Sequence, residues 1–377
     1  MKFQAFLLDQ WLQKNAAAEF NLGLSTGPRW TVRELLALTG AAGGAAQRLL
    51  DIELRYPPTA GALGLREAIA EMQGVPVEEV VVFAGGAEAL FQVFYLAAEP
   101  GANVIVPWPC FPAHQVVPES LGFEIRRYRL RRENSYAVDI EEVKRLADRR
   151  TKILVVNSPH NPTGATVTNE EMAALHDFAA ARGIQFLSDE VFHAVYHGRE
   201  TESAARLPHA TVVNDFSKAF SLPGLRLGWI IERDAARRKE YLNTREFVSV
   251  SNTPMGEFLG EIAIRHHDKV LGRTRDVTRA NLALLSRTIG EFPRVLDWVP
   301  PVGGMTAWVR LASHGDARLF CEQALRHGLL IAPGDCWGFA DHFRIGFGLG
   351  PAWYPRAMER FSELVHAWSE TAQAKTA

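Results

Sequence analysis

Between residues 56 and 213 short unbroken apolar runs alternate with stretches in which apolar positions recur every three or four residues. Leu65, Ile69 and Met72 repeat at helical spacing and predict a helix over 65–72. Val80-Val81-Val82-Phe83 is too short for a buried helix and predicts a buried strand, after which 88–98 returns to helical spacing. Further strands are predicted at 103–106, 123–130 and 210–213, and runs at 153–156 and 184–187 bracket a helix over 169–181. Runs without polar alternation belong to strands covered on both faces, so the pattern predicts an α/β fold with a mostly parallel sheet between helices. After residue 218 the rhythm changes. A long helical pattern over 269–289 leads to strand-like runs at 305–309 and 343–345, assigned to a second, smaller α/β domain. The expected division is an N-terminal arm with part of the small domain (1–48), a large domain (49–275) and a small C-terminal domain (276–377).

Composition narrows the function more than the fold. A chain of 377 residues exceeds one simple core. The formal charge of −2 gives no footprint for a polyanion, so no nucleic-acid partner is expected. Cys110, Cys321 and Cys336 form neither a disulfide framework nor a metal-ligand spacing, which implies a reducing compartment and no metal site. The start, 1–11, is interrupted by Asp9 and does not read as a signal peptide, and no apolar run approaches membrane-spanning length. A soluble, cytoplasmic protein with no membrane partner is expected. Residues 372–377 read as a disordered tail. The glycine-rich stretch 41–46 has no preceding strand and no Lys/Ser pair, so it reads as a flexible connection rather than a phosphate loop.

Ligands of parallel sheets sit beyond the carboxyl ends of the strands, and the chemistry-bearing residues cluster there. Lys218 follows the run 210–213; burial disfavours the ammonium form, leaving an amine able to form a Schiff base. Arg226 comes eight residues later, with a Pro223-Gly224 turn that bends it back, a pairing suited to a ligand both aldehyde and phosphate. In 84–90 a Gly-Gly pair joins strand to helix, where amides of Gly86 and Ala87 can face an anion along the helix dipole, although a tight turn would look the same. Asp189 directly follows a buried strand and needs either a cationic partner or a structural hydrogen-bond set. Asn161 lies in the turn Asn157-Ser158-Pro159-His160-Asn161-Pro162-Thr163-Gly164, with His160 packed beside it. Arg344 lies in an otherwise apolar strand; a buried arginine needs an anion, and its planar fork suits a carboxylate.

The segment 214–229 around Lys218 resembles the lysine signature of the class I/II aminotransferases, fold-type I pyridoxal phosphate (PLP) enzymes. The Asn157–Gly164 turn nearly matches that family's Asn-Pro-x-Asn-Pro-Thr-Gly motif, with Ser158 where a proline is common, and the ordered matches run from Tyr56 to Gly348. The resemblance implies PLP on Lys218, phosphate held by Gly86, Ala87 and Arg226, and a ring nitrogen paired with Asp189. It also implies Phe111 on the ring face, Asn161 at the phenolic oxygen, Arg344 on a substrate α-carboxylate, and Tyr56 reaching the phosphate of a neighbouring subunit in a homodimer. The implied activity is transfer of the amino group of an L-α-amino acid to a 2-oxo acid.

Three departures qualify this. Phe192 stands where a tyrosine is usual, so Asn161 holds the oxygen alone unless Tyr196 or another donor substitutes. The phosphate loop lacks its common hydroxyl. Asp215 stands where a phosphate-binding serine is frequent, and either caps a turn or faces a cationic substrate tail. The segment Leu22-Gly23-Leu24-Ser25-Thr26-Gly27 is closer to PLP enzymes that modify arginine derivatives, such as capreomycidine synthase. Cyclisation, elimination or oxidation of an arginine-like amino acid therefore remains an alternative outcome at the same site. A PLP-sensing regulator is the minor alternative, with only 1–55 before Tyr56 and no helix-turn-helix in it.

Overall fold

The apolar runs of the first half of the chain pair into one seven-stranded sheet, in a computed structural model that describes residues 3–312 and 315–374. In chain order its strands are β1 (Val80–Phe83), β2 (Asn103–Trp108), β3 (Glu124–Arg129), β4 (Thr151–Asn157), β5 (Gln185–Asp189), β6 (Ala210–Asp215) and β7 (Gly228–Ile231). The lateral order is β1-β7-β6-β5-β4-β2-β3. From β3 to β6 every pairing is parallel, whereas β7 runs antiparallel to both β6 and β1. Val80 to Phe83 and Ile153 to Val156 are all buried, as strands covered on both faces must be. The expected α/β class with a mostly parallel sheet is what forms.

A second sheet contains β8 (Leu296–Trp298), β9 (Thr306–Leu311), β10 (Ala332–Pro333) and β11 (His342–Gly346), in the order β10-β11-β9-β8 and antiparallel throughout. Helices His267–Gly290 and Tyr354–Ala374 accompany it. Phe20–Asn21 pairs in parallel with Leu329–Leu330, and Gly346 N–H donates to Leu22 O at 2.6 Å. Residues 22–27 are thereby tied along β11 and brought to the edge of the large sheet.

Two expectations need correction. The glycine-rich stretch 41–46 is not a flexible connection: Ala42–Leu50 is a helix, with Ala45 buried against the preceding Val32–Ala37 helix. Interior glycine costs about 1 kcal/mol per residue relative to alanine, and packing outweighs that here. The tail expected at 372–377 is helical as far as Ala374, and 375–377 lie outside the described residues. Among the described residues no helix is long and apolar enough to cross a membrane.

The helix after β1 positions the site. It begins at Gly86, two residues before the sequence pattern suggests, and its N-cap Gly85 has φ 94° and no side chain to cap it. Helices beginning at Asn169, Ala235, Pro254 and Ala317 all have side-chain caps. The first amides of the Gly86–Leu96 helix are thus left open toward the carboxyl edge of the sheet.

Candidate active site

Beyond the carboxyl ends of β1, β4, β5 and β6 lies a cavity of about 260 Å³, lined by Gly86, Asn161, Asp189, Asp215, Lys218 and Arg226 among others. Phe111 and Ala87 line it as well. Nine of the ten candidate residues belong to it or touch a residue that does. The exception is Tyr56, which is 82 % exposed and lines an adjoining groove beside Arg226.

The Gly85–Gly86 turn exists because three backbone and side-chain groups meet there. A Cβ on Gly85 would lie 2.8 Å from Arg226 Nη2, and one on Gly228 2.6 Å from Gly86 N. Only glycine permits this approach and the positive φ of Gly85. Arg226 itself sits in the left-handed region at φ 51°, which turns its side chain back over Gly85. The only hydrogen bond of its guanidinium among the described residues is from Nη1 to Pro223 O at 3.3 Å, and no carboxylate there pairs with it. An open helix N-terminus beside an unpaired guanidinium fits a phosphate.

Asp189, the last residue of β5, is 2 % exposed. Its Oδ1 accepts from Val191 N–H, and its Oδ2 lies 2.7 Å from His114 Nε2, which donates to it when the acid is ionised. The sequence motifs contain no sign of His114. Its ring is edge-on to Phe111, three residues earlier, so aromatic wall and acid are braced by one helix turn. Asn157 at the end of β4 fixes the next turn: Nδ2 donates to Asp189 O and Oδ1 accepts from Asn161 N–H. His160 is packed beside that turn, as expected, with Nδ1 2.8 Å from Thr163 Oγ1; burial pushes it down to about 3.

Arg344 is 1 % exposed and has no carboxylate partner among the described residues. Nη1 donates to Asn161 Oδ1 at 3.0 Å, Nη2 donates to Gly23 O at 2.6 Å, and the guanidinium lies over Trp337. Nε has no hydrogen-bond partner among the described residues. Burial pushes this guanidinium down to about 10. A buried guanidinium without a carboxylate partner is electrostatically suited to an anion.

Lys218 lies between these groups. Burial lowers its ammonium pKa and Asp215 raises it; Arg344 and Arg226 add to the lowering while Asp189 opposes it. Its Nζ donates to Ser25 Oγ at 3.2 Å, a contact carried in by residues 22–27. Tyr196 does not replace the tyrosine missing at Phe192, because its hydroxyl is engaged with Thr201 Oγ1 at 2.9 Å. Asp215 sits in the same wall. Its Oδ1 accepts from Ser217 and Lys218 N–H, so it caps the turn, and its other oxygen lies against Gly86. The same carboxylate lines the cavity.

Comparison with known proteins gives this geometry a context. Residues 45–361 match the family model described as aminotransferase class I and II. Capreomycidine synthase of Streptomyces vinaceus is 30 % identical over 94 % of this chain and 92 % of its own. Arginine–pyruvate transaminase of Pseudomonas aeruginosa is 30 % identical over 81 % of each. The solved structure of a PLP-dependent aminotransferase from Streptococcus suis superposes with TM-score 0.92 at 26 % identity, covering 97 % of this chain and 99 % of that one.

Proposed function

The chain belongs to the class I and II aminotransferases, a PLP-dependent family, and we propose that it moves the amino group of an L-α-amino acid to a 2-oxo acid. The observation that carries this reading is the convergence of an amine, a buried carboxylate and two arginines without carboxylate partners on one cavity. PLP, when bound, supplies an aldehyde for amines and an electron-poor ring that accepts electrons from the substrate α-carbon. The open amides of Gly86 and Ala87, with Arg226, would hold its phosphate. Asp189, oriented by His114, would pair with its ring nitrogen. Phe111 would pack against its ring.

Arg344 receives the substrate carboxylate on its planar edge, where Nε already lacks a partner. Lys218, biased toward the free amine by burial, takes the α-proton at Nζ and returns it to the other side of the transfer. Ser25 Oγ orients that nitrogen. Residues 22–27 and β11 close the pocket side against water.

Two relatives favour a basic amino acid, since one is named for arginine and the other for capreomycidine synthesis. Cyclisation or oxidation of an arginine-like substrate is the second reading, favoured by the 94 % coverage of the match to the synthase. Incubation with a panel of amino acids, following cofactor absorbance and identifying products by mass, separates the two. A 2-oxo acid supports transfer; a cyclised product with the nitrogen retained supports the synthase-like outcome.

A homodimer completes the proposal. Leu54, Tyr56 and Phe247 are each at least 80 % exposed, and Tyr56 borders two grooves, one of them shared with Arg226. A second copy covering this face would bring Tyr56 to the partner's phosphate. Sedimentation at a monomeric mass would end that assignment.

A further inference from the structure

Asp215 stands in the phosphate cradle with no task in the scheme above. Its Oδ1 is fixed by Ser217 N–H at 2.9 Å and Lys218 N–H at 3.3 Å. That locks the rotamer and directs Oδ2 at the helix terminus, 3.3 Å from where a Cβ on Gly86 would lie. The Ser217 hydroxyl is the one side-chain hydrogen-bond donor facing the carboxylate among the described residues. The carboxylate lines the cavity beside Gly86, Ala87 and Arg226, the same groups that fit a phosphate.

The charges around it come from every side of the cradle. Lys218 faces it from its own turn, Asp189 from the end of β5, and Arg226 lies across Gly85. Glu88, in the first turn of the helix, is engaged elsewhere, accepting from Ala84 N–H and Ser249 O–H. Burial pushes the Asp215 carboxyl up and Asp189 adds to that, while Lys218 and the Ser217 amide and hydroxyl oppose it. With the cradle empty, cations and open amides suit an anionic carboxylate. A phosphate ester at the same helix terminus brings a second acceptor-only group to the first, and two such oxygens repel without a proton between them.

We propose that Asp215 Oδ2 and an oxygen of the bound phosphate ester share one proton, taken up from solvent when the ester binds. Asp215 thereby serves as the hydroxyl donor that the loop lacks, and cofactor hold strengthens toward acid. One proton leaves the buffer acid and lies between two oxygens; no other bond changes. The proposal rests on the cradle being the phosphate site.

Calorimetric titration of the full chain, freed of cofactor, with pyridoxamine 5′-phosphate tests it. The titration is run near about pH 8, above the second ionisation of a phosphate ester, in buffers of different ionisation enthalpy. Wild type should take up about one more proton than Asp215→Asn, and its affinity should fall about tenfold per pH unit relative to that variant. Unphosphorylated pyridoxamine should give equal counts in both, which removes any contribution of Lys218. Asp215→Ser, a donor without the charge, should behave as Asp215→Asn, so the count survives if one variant does not fold. Equal uptake and equal pH slopes in wild type and variants overturn the shared proton alone. Failure of wild type to prefer the phosphate ester over pyridoxamine overturns the cradle and this proposal together.

Discussion

Arg226 and Arg344, the two arginines assigned to the proposed site, are held in opposite ways. Arg226 is exposed, sits in a left-handed turn and has one weak hydrogen bond, to Pro223 O. Arg344 is buried in β11, donates to Asn161 and Gly23, and lies over Trp337. An exposed cation is screened by water and salt, so its anion site needs help, and the open helix terminus behind Gly85 and Gly86 supplies it. A buried, pre-oriented guanidinium needs no such help, since its own desolvation makes an arriving carboxylate valuable. One site is built from backbone and the other from a single side chain.

The largest expected effect comes from removing the buried partner. Arg344→Ala should weaken carboxylate binding by about 2–5 kcal/mol, roughly a 30- to 5000-fold rise in KM, without changing PLP affinity. Arg226→Ala should do the reverse: a smaller, salt-sensitive loss of PLP affinity, with amino-acid KM unchanged at saturating cofactor. Measuring both constants for both variants breaks the comparison if either substitution moves both.

The Asn161 turn also brings pH into play. Burial, and next His114, hold His160 neutral in the folded chain, down to about 3, whereas an unfolded histidine protonates near 6.5. Stability from this group is therefore complete above about pH 6.5 and is lost as pH falls toward about 3, on the order of 5 kcal/mol over the window. His160→Asn, which keeps a donor for Thr163 but does not titrate, should flatten urea-unfolding stability across that range. An unchanged slope would assign the acid sensitivity to carboxylates instead.

The backbone-built site has its own weak point. Gly85→Ala meets both φ 94° and a Cβ only 2.8 Å from Arg226 Nη2. Strain of about 1–3 kcal/mol is expected, read as lost stability and looser PLP. Combining it with Arg226→Ala should give a non-additive loss, because deleting the guanidinium removes the collision and leaves only the backbone strain. Strict additivity would mean the two residues do not share a site.

The same contrast explains what the chain disclosed before folding. Strands such as Val80–Phe83 announce themselves by unbroken apolar runs, and Lys218, Asp189 and Asn161 follow such runs directly. Contacts that join distant segments leave no local mark. His114 meets Asp189 across 75 positions, Asn161 meets Arg344 across 183, and Ser25 meets Lys218 across 193. The Ala42–Leu50 helix was hidden for another reason: its glycines mimic a linker, and only docking through Ala45 makes it helical. Asp215 was legible as an oddity, but its direction toward Gly86 depends on two amides that only the folded turn presents.

The smallest expected effect concerns Phe192, between the two sites. Its buried ring lines the cavity, and the neighbouring Tyr196 hydroxyl is bonded to Thr201 and unavailable. A phenol at position 192 would donate to the cofactor's phenolic oxygen and favour its anionic form. One such hydrogen bond is worth about 0.5–1.5 kcal/mol, which is up to about one pH unit. The bound-cofactor chromophore of wild type should therefore titrate at higher pH than that of Phe192→Tyr, by about one unit at most. Asn161 is the competing donor: its Oδ1 accepts from Arg344, which leaves Nδ2 to face the cavity. Spectral titration of both proteins decides, and an equal or higher value in the tyrosine variant would mean that Asn161 already satisfies the oxygen. Repeating it in Arg344→Ala, where Asn161 loses its anchor, should enlarge the gap between phenylalanine and tyrosine; a gap that stays the same would show that the carboxylate site does not orient the amide.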